Sequence, residues 1–283
     1  METAILLISC QDRKGIVAEL SHFISTYNGN ILHSSQHSDE ESNTFFMRIE
    51  WDLKDFSIKK DKIAQAFEPI AEKFEMKWSV NFSSKKKNVA LFVSQYDHCL
   101  NDLLFRHHSG ELDCNISLII SNHEKCRPIA EYFSIPFHAY KIDKENKAEV
   151  EKEQIALLKK QKTDLIILAR YMQILTADFV NNFSEKIINI HHSFLPAFIG
   201  ARPYHQAHSR GVKIIGATSH YVTADLDQGP IIEQDVSRIT HRDSVKELVQ
   251  KGRNLEMLVL ARAVKLHLED KILVFNNKTV VFD

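Results

Sequence analysis

Glycine and proline are scarce in this chain: 8 and 6 of 283 residues. That excludes collagen-like and low-complexity architectures and leaves no long flexible linker. Cysteine is scarce too. Cys10, Cys99, Cys114 and Cys126 lie far apart and form no CxxC pair, so buried, reduced thiols in a cytoplasmic protein are expected rather than a disulfide framework or a zinc ribbon. No apolar run approaches the ~20 residues of a membrane span, so no membrane partner is expected. The N-terminal METAILLISCQDRKG has no basic residue ahead of its apolar run and meets charge at once, which reads as a first strand and not as a signal peptide. Charge of one sign is missing as well: 36 basic against 37 acidic residues argue against a nucleic-acid backbone binder.

What remains is enough chain for one large or two modest domains. The sharpest break in composition is SSKKKN, Ser83 to Asn88, a lysine run between two apolar segments. It predicts an exposed connector and two domains, 1–84 and 85–283.

The first domain reads βαββαβ. AILLISC is a strand; Ile16, Val17, Leu20, Phe23, Ile24 and Tyr27 recur at helical spacing; Gly29 suits the left-handed position past that helix. NILHSSQHS and TFFMRIEW flank an acidic turn. A second helix is expected over about 58–74 with Pro69 inside it, and Trp78, Val80 and Phe82 alternate as a last strand. This order gives an antiparallel, ferredoxin-like sheet with helices on one face.

The second domain alternates differently. NVALFVS, ISLIISN, DLIILAR and IINIHH are continuous apolar runs, as in parallel strands buried on both faces. Helical patterns lie between them at 98–108, 123–133 and 148–160. Repeated βα units predict a doubly wound α/β domain, with ligands beyond the carboxyl ends of its strands. A long helix follows, with Thr240 and Asp243 patterned as its capping box, and KILVFNN with KTVVFD predict a closing hairpin.

Three strand ends carry polar residues: LARYMQIL (168–175), NIHHS (189–193) and SHYVTADLDQGP (219–230). In an extended segment Asn189 and His191 share a face while Ile190 points away. An amide and an imidazole in one cleft suit a developing oxyanion. Asp225 and Asp227 both lie in the following turn, and either carboxylate can orient an imidazole or accept a proton. His220 is a candidate supporting partner. His191, His192, His205, His208 and His220 are numerous enough for a metal to be considered, but no HExxH and no cysteine accompany them. Ser193 lacks the glycine elbow of a hydrolase nucleophile.

Two resemblances sharpen this. DRKGIVAELS with NGNI and FFMR resembles an ACT domain; it implies a small effector, commonly an amino acid, with Asp12, Gly15 and Asn28 as candidate contacts. Residues 88 to about 268 resemble the formyltransferase fold that uses 10-formyltetrahydrofolate. NIHHSFLP is similar to its Asn-x-His-x-Ser…Leu-Pro motif, LDQGP to its Asp-x-Gly turn, and ARYMQIL to its pterin-pocket segment. The resemblance implies catalytic roles for Asn189, His191 and Asp227, and pterin contacts from Met172, Gln173, Ile174, Leu175 and Leu226. It implies no metal and no cofactor beyond the folate substrate.

The order of the two domains resembles that of formyltetrahydrofolate deformylases, as do DHCLNDLLFRHHSGEL, GARPYHQA and KIIGATSHYV. His192 stands where related transformylases have proline and reads as a subfamily marker facing away from the cleft; Ala197 stands where a serine is usual. SQYDHCLND, at the place of the transformylases' glycine-rich phosphate loop, has no glycine and carries Tyr96 and Asp97. The resemblance therefore implies water as acceptor. It implies hydrolysis of 10-formyltetrahydrofolate to formate and tetrahydrofolate, which supplies formate for purine biosynthesis and balances one-carbon folate pools. A homo-oligomer, dimer or tetramer, is implied as well. The alternatives are an amine formyltransferase of glycinamide ribonucleotide or sugar type, and an inactive folate or amino-acid sensor.

Overall fold

A computed structural model describes residues 2–196 and 203–282; Ala197 and the start of GARPYHQA lie outside them. The chain divides into two compact units: 1–86 with 269–275 and 279–283, and 87–268 with 276–278.

In the first unit β1 (Thr3–Gln11), α1 (Ile16–Thr26), β2 (Asn30–Asp39), β3 (Thr44–Asp52), α2 (Ile63–Phe74) and β4 (Lys77–Phe82) form an antiparallel sheet in the order β2-β3-β1-β4. Leu6 and Ile8 of β1 and Phe45 and Met47 of β3 point at the helices, against Leu20, Phe23, Ile63 and Phe67. The other face is covered too. Leu7 and Phe46 are buried with Phe282 against Leu273, Phe275 and Val280, and Arg48 donates to the carbonyls of Glu269 and Asp270. The C-terminal residues thus belong with the first sheet, where the sequence reading had carried the second domain to the chain end. An apolar hairpin does not declare which sheet it covers.

Two local expectations are corrected. Asn28, with φ 62°, takes the left-handed position after α1. Gly29 serves close packing instead, since a Cβ there would sit 2.6 Å from Ile24 Cγ2. The second helix begins at Ile63, after a 3₁₀ turn at Lys60–Lys62.

The second unit is a seven-stranded sheet. Its strands are β5 (Lys87–Val93), β6 (Cys114–Ser121), β7 (Phe137–Ala139), β8 (Leu165–Leu168), β9 (Ile187–His191), β10 (Ile214–Tyr221) and β11 (Ile231–Arg238), in the order β11-β10-β9-β8-β5-β6-β7. β5 to β9 run parallel; β10 and β11 add an antiparallel edge. Helices α3 (His98–His108), α4 (Arg127–Tyr132), α5 (Lys147–Lys160), α6 (Ala177–Asn182) and α7 (Pro203–Ser209) lie between them, and α8 (Val245–Leu268) follows β11. Ala90, Phe92, Leu118, Ile120, Ile166 and Leu168 pack as one buried cluster with α5 and α6. Strand order reverses between β5 and β8, which opens a crevice at their carboxyl ends.

The cap of α8 differs from expectation. Two Ser/Thr-x-x-acid patterns overlap here. Thr240 and Asp243 close a turn before the helix, while Ser244 and Glu247 form the capping box: Ser244 N–H donates to Glu247 Oε2 at 2.6 Å, and Glu247 N–H to Ser244 Oγ at 3.4 Å. The four cysteines are buried and form no disulfide. Among the described residues no helix is long and apolar enough to cross a membrane.

Candidate active site

Register alone brings the polar strand ends together. Leu168 of β8 pairs with Asn189 of β9, and β10 returns antiparallel so that His220 lies opposite Asn189 and Thr218 opposite His191. The loop after β10 then folds back. Tyr221 N–H donates to Pro230 O at 2.9 Å, and Gly229 passes so close that a Cβ would lie 1.7 Å from Tyr221 O, so no side chain fits there. Asp227, two residues earlier, takes φ 56°. Its Oδ2 lies 3.3 Å from His191 Nδ1 and its Oδ1 3.6 Å from His220 Nε2. Asp225 does not line the cleft; Asp227 does. A turn's composition does not separate the two acids, whereas the glycine crossing does.

The hydrogen bonds orient every group. Tyr221 O accepts from His220 Nδ1 at 2.9 Å. His220 Nε2 is then the acceptor, and Asn189 Nδ2 donates to it at 3.3 Å. This fixes the Asn189 amide and leaves its second N–H available. His191 directs Nδ1 at Asp227, while its Nε2 is buried without a partner among the described residues. His191, whose Nδ1–H faces it, holds the Asp227 carboxyl well below the usual carboxylate range.

The cleft measures about 360 Å³ and is lined by Met172, Gln173, Ile174, Leu175 and Leu226 together with Asn189, His191 and Asp227. All eight residues singled out for catalysis and pterin contact thus meet in one place. Met172, Ile174 and Leu226 are 55–60% exposed, an apolar rim of the kind that suits a flat heteroaromatic ring. The rim is held from below. Ser94 Oγ accepts from Met172 N–H at 2.8 Å. Lys147 of α5 donates to Ile174 O. The buried Glu151 accepts from Thr176 N–H at 3.2 Å and from its hydroxyl. Glu151→Ala should therefore loosen the rim: steady-state kinetics should show KM raised about tenfold, the worth of one or two such hydrogen bonds, with kcat nearly unchanged.

Four contributors are not singled out by the sequence reading: Arg170, His98 and Tyr204, which lie inside quoted segments, and Glu256, which lies in none. Arg170 also lines the cleft. Behind it Glu256 of α8, 1% exposed, receives His98 Nε2 at 2.7 Å and Tyr204 Oη at 2.8 Å. His192 lies in the cleft and not away from it: β9 ends at His191, so the two-residue alternation stops there. Ser193 is buried and does not line the cleft. Among the described residues one acid–base cluster has the spacing of metal ligands, His98, Cys99 and Glu256. Arg170 Nε stands 3.4 Å from the same Glu256 oxygen that His98 binds, and a fixed guanidinium there opposes a second cation. His205 and His208 join no such cluster.

In the first unit the candidate effector residues separate. Asp12 and Gly15 (φ 95°) form the turn before α1. Asn28 lies beyond the other end of that 11-residue helix, about 16 Å along its axis, with its amide donating to Asp55 O at 3.1 Å.

Comparison with known proteins is consistent across both units. Residues 87–264 match the formyl transferase family model and residues 4–68 the ACT domain model. The chain is 55% identical over 280 residues to a formyltetrahydrofolate deformylase of Synechocystis sp., covering 99% of this chain and 98% of that protein. It is 53% identical to one of Bacillus subtilis, over 98% of this chain and 93% of that one. A crystal structure of a formyltetrahydrofolate deformylase from Pseudomonas syringae superposes with a TM-score of 0.98 at 50% identity, covering 100% of this chain and 95% of that one. Two matched domains in this order and full-length identity above half together place the chain in the formyltetrahydrofolate deformylase family.

Proposed function

We infer that this enzyme hydrolyses 10-formyltetrahydrofolate to formate and tetrahydrofolate. The observation that carries the reading is the meeting of Asn189, His191 and Asp227 at one end of a cleft whose remaining wall is the apolar 172–175 and 226 rim.

The pterin lies against that rim and brings the N10-formyl carbon to the three polar groups. With its Nδ1–H directed at the Asp227 carboxylate, neutral His191 presents the Nε2 lone pair. Water attacks the formyl carbon and gives its proton to that nitrogen. The free N–H of Asn189 and the new imidazolium hold the oxyanion, while Asp227 supports the imidazolium charge. The Nε2 proton then passes to N10 as the C–N10 bond breaks, and tetrahydrofolate leaves. Formic acid gives up its own proton to water. His220 acts on the amide of Asn189 by fixing which end faces the carbon.

Chemistry of this kind needs no cofactor beyond the folate and no metal. The same reading takes the first unit as regulatory, with Asp12 and Gly15 at an amino-acid effector site in a homo-oligomer, and places the enzyme in the cytoplasm. Water as acceptor fits the bulky Tyr96 and the acid Asp97 where a phosphate cradle would need bare backbone N–H groups.

The test is direct. Incubated with 10-formyltetrahydrofolate and no amine, the protein should release one formate per tetrahydrofolate formed. Formyl loss that waits for an added amine would identify a transferase, and tight folate binding without formate a sensor.

A further inference from the structure

Behind the catalytic imidazole lies a second layer that the reaction scheme leaves unused. Arg170 follows β8 in the left-handed conformation, φ 63°, which turns its side chain from the strand toward α8. Its Nη1 donates to His192 Nδ1 at 2.8 Å. Its Nε stands 3.4 Å from Glu256 Oε2, and its guanidinium lies 5.6 Å from the Tyr96 ring centre. The Arg170 side chain is 11% exposed and that of Glu256 2%. Space for this arrangement is built in: a Cβ on Gly252 would lie 2.1 Å from the Tyr204 hydroxyl that binds Glu256. The His192 ring lies nearly parallel to that of His191, 25° between planes and 5.1 Å between centres.

A guanidinium has no lone pair to offer, so His192 Nδ1 must accept, and the proton of the neutral ring sits on Nε2. A buried ion pair adds little stability over an apolar replacement. Its worth here lies in where it puts its neighbours. We propose that Arg170 is a positioning residue for the hydrolysis: fixed by Glu256, it holds His192 as a neutral imidazole flat against His191. The groups facing His192 are Arg170, His191, Glu256, Asp227 and the Tyr204 ring. Burial first, then Arg170 and His191, push the His192 imidazole down to about 4. A neutral His192 spares His191 a second adjacent cation at the moment it becomes imidazolium.

The proposal rests on the hydrolytic reading above, and its test separates the two. Formate release is measured for the wild type, Arg170→Met, His192→Ala and the double variant, with ¹⁵N spectra of the histidine rings. Each single variant should lower kcat roughly 10- to 50-fold with KM within about threefold. The double variant should be no more than about twofold slower than the worse single one, because the two residues act in series. Arg170→Lys should recover part of the loss, since an ammonium can still donate to Nδ1. The wild-type spectrum should show His192 neutral and protonated at Nε2 at pH 6, and Arg170→Met should raise the pH at which it titrates while burial keeps it below its ordinary value.

Multiplying losses in the double variant, a kcat for Arg170→Met within twofold of wild type, or a loss carried by KM would each overturn the proposal. So would a wild-type His192 protonated at Nδ1, a readout that holds even if Arg170→Met fails to fold. A wild type that releases no formate yet shows the Nε2–H tautomer would refute the hydrolytic reading and leave the arrangement of His192 standing.

Discussion

Asp227→Asn should lower kcat by about three to four orders of magnitude, with KM changed a few-fold at most. The substitution is isosteric, and asparagine tolerates the left-handed backbone that residue 227 adopts at φ 56°. The loop should therefore keep its path across Gly229. What is lost is charge and acceptor capacity. Asp227 is ionised throughout the working range, because His191 holds its carboxyl far down. That carboxylate sets His191 with Nδ1–H toward Oδ2, which leaves the proton-accepting lone pair on Nε2. An asparagine presents either an oxygen that still accepts but carries no charge, or an N–H that forces the imidazole into the wrong tautomer. In catalytic triads the same exchange costs about 10⁴ in kcat, and loss of one oxyanion donor costs about 10²–10³. Formate release read beside a thermal melt separates chemistry from folding. A folded Asp227→Asn variant with kcat within tenfold of wild type would remove Asp227 from the mechanism. The Asp225→Asn variant is the internal control and should stay near wild type, since Asp225 does not line the cleft.

The contrast between those two acids shows what the sequence could and could not say. Asn189 and His191 were legible because the rule that carries them is local: strand alternation puts residues two apart on one face, and Ile187, Ile188 and Ile190 mark the strand. The rim was legible only through the resemblance of ARYMQIL to a pterin-pocket segment, whereas the doubly wound sheet was legible as a series of continuous apolar runs. Choosing Asp227 over Asp225 took a resemblance, because the deciding contact is between Gly229 and the backbone of Tyr221. Glu256 is separated from Arg170 by 86 positions, and a lone acid in a helix with mixed polarity carries no mark of burial. His192 was misplaced by extending alternation one residue past the strand's end. The same limit explains the C-terminal hairpin. Local pattern gives its strands, but only contact shows Phe282 against Leu7 and Phe46. Pairings across the fold are set by packing, and packing has no local code.

Packing also makes a pH prediction with a large effect, since it holds two imidazoles neutral. His267, near the end of α8, accepts from the Tyr221 hydroxyl at 2.7 Å through Nδ1. Burial, then Lys87 and Lys186, push it down to about 3. Lys87 is fixed there by the last carbonyls of the helix, His267 and Leu268. His192 is held down to about 4. Both are bases whose folded-state pKa lies below the unfolded value of about 6.5. Above that pH neither state binds the proton and stability is flat. As pH falls below about 6.5 the unfolded chain takes up protons that the folded chain refuses, so stability declines until the folded rings titrate at about 4 and about 3. Each ring contributes a slope of up to about 1.4 kcal/mol per pH unit. Between pH 7.5 and pH 5 the two together should remove about 4 kcal/mol, a large part of a typical domain's stability. Urea unfolding at the two pH values reads this as a lower midpoint at unchanged slope. In His267→Gln the amide oxygen can still accept from Tyr221, so the fold keeps its hydrogen bond while losing the titration. That variant should show about half the acid loss of the wild type. Equal midpoints at pH 7.5 and 5, or an unaltered acid loss in His267→Gln, would mean that these rings are solvated enough to protonate in place.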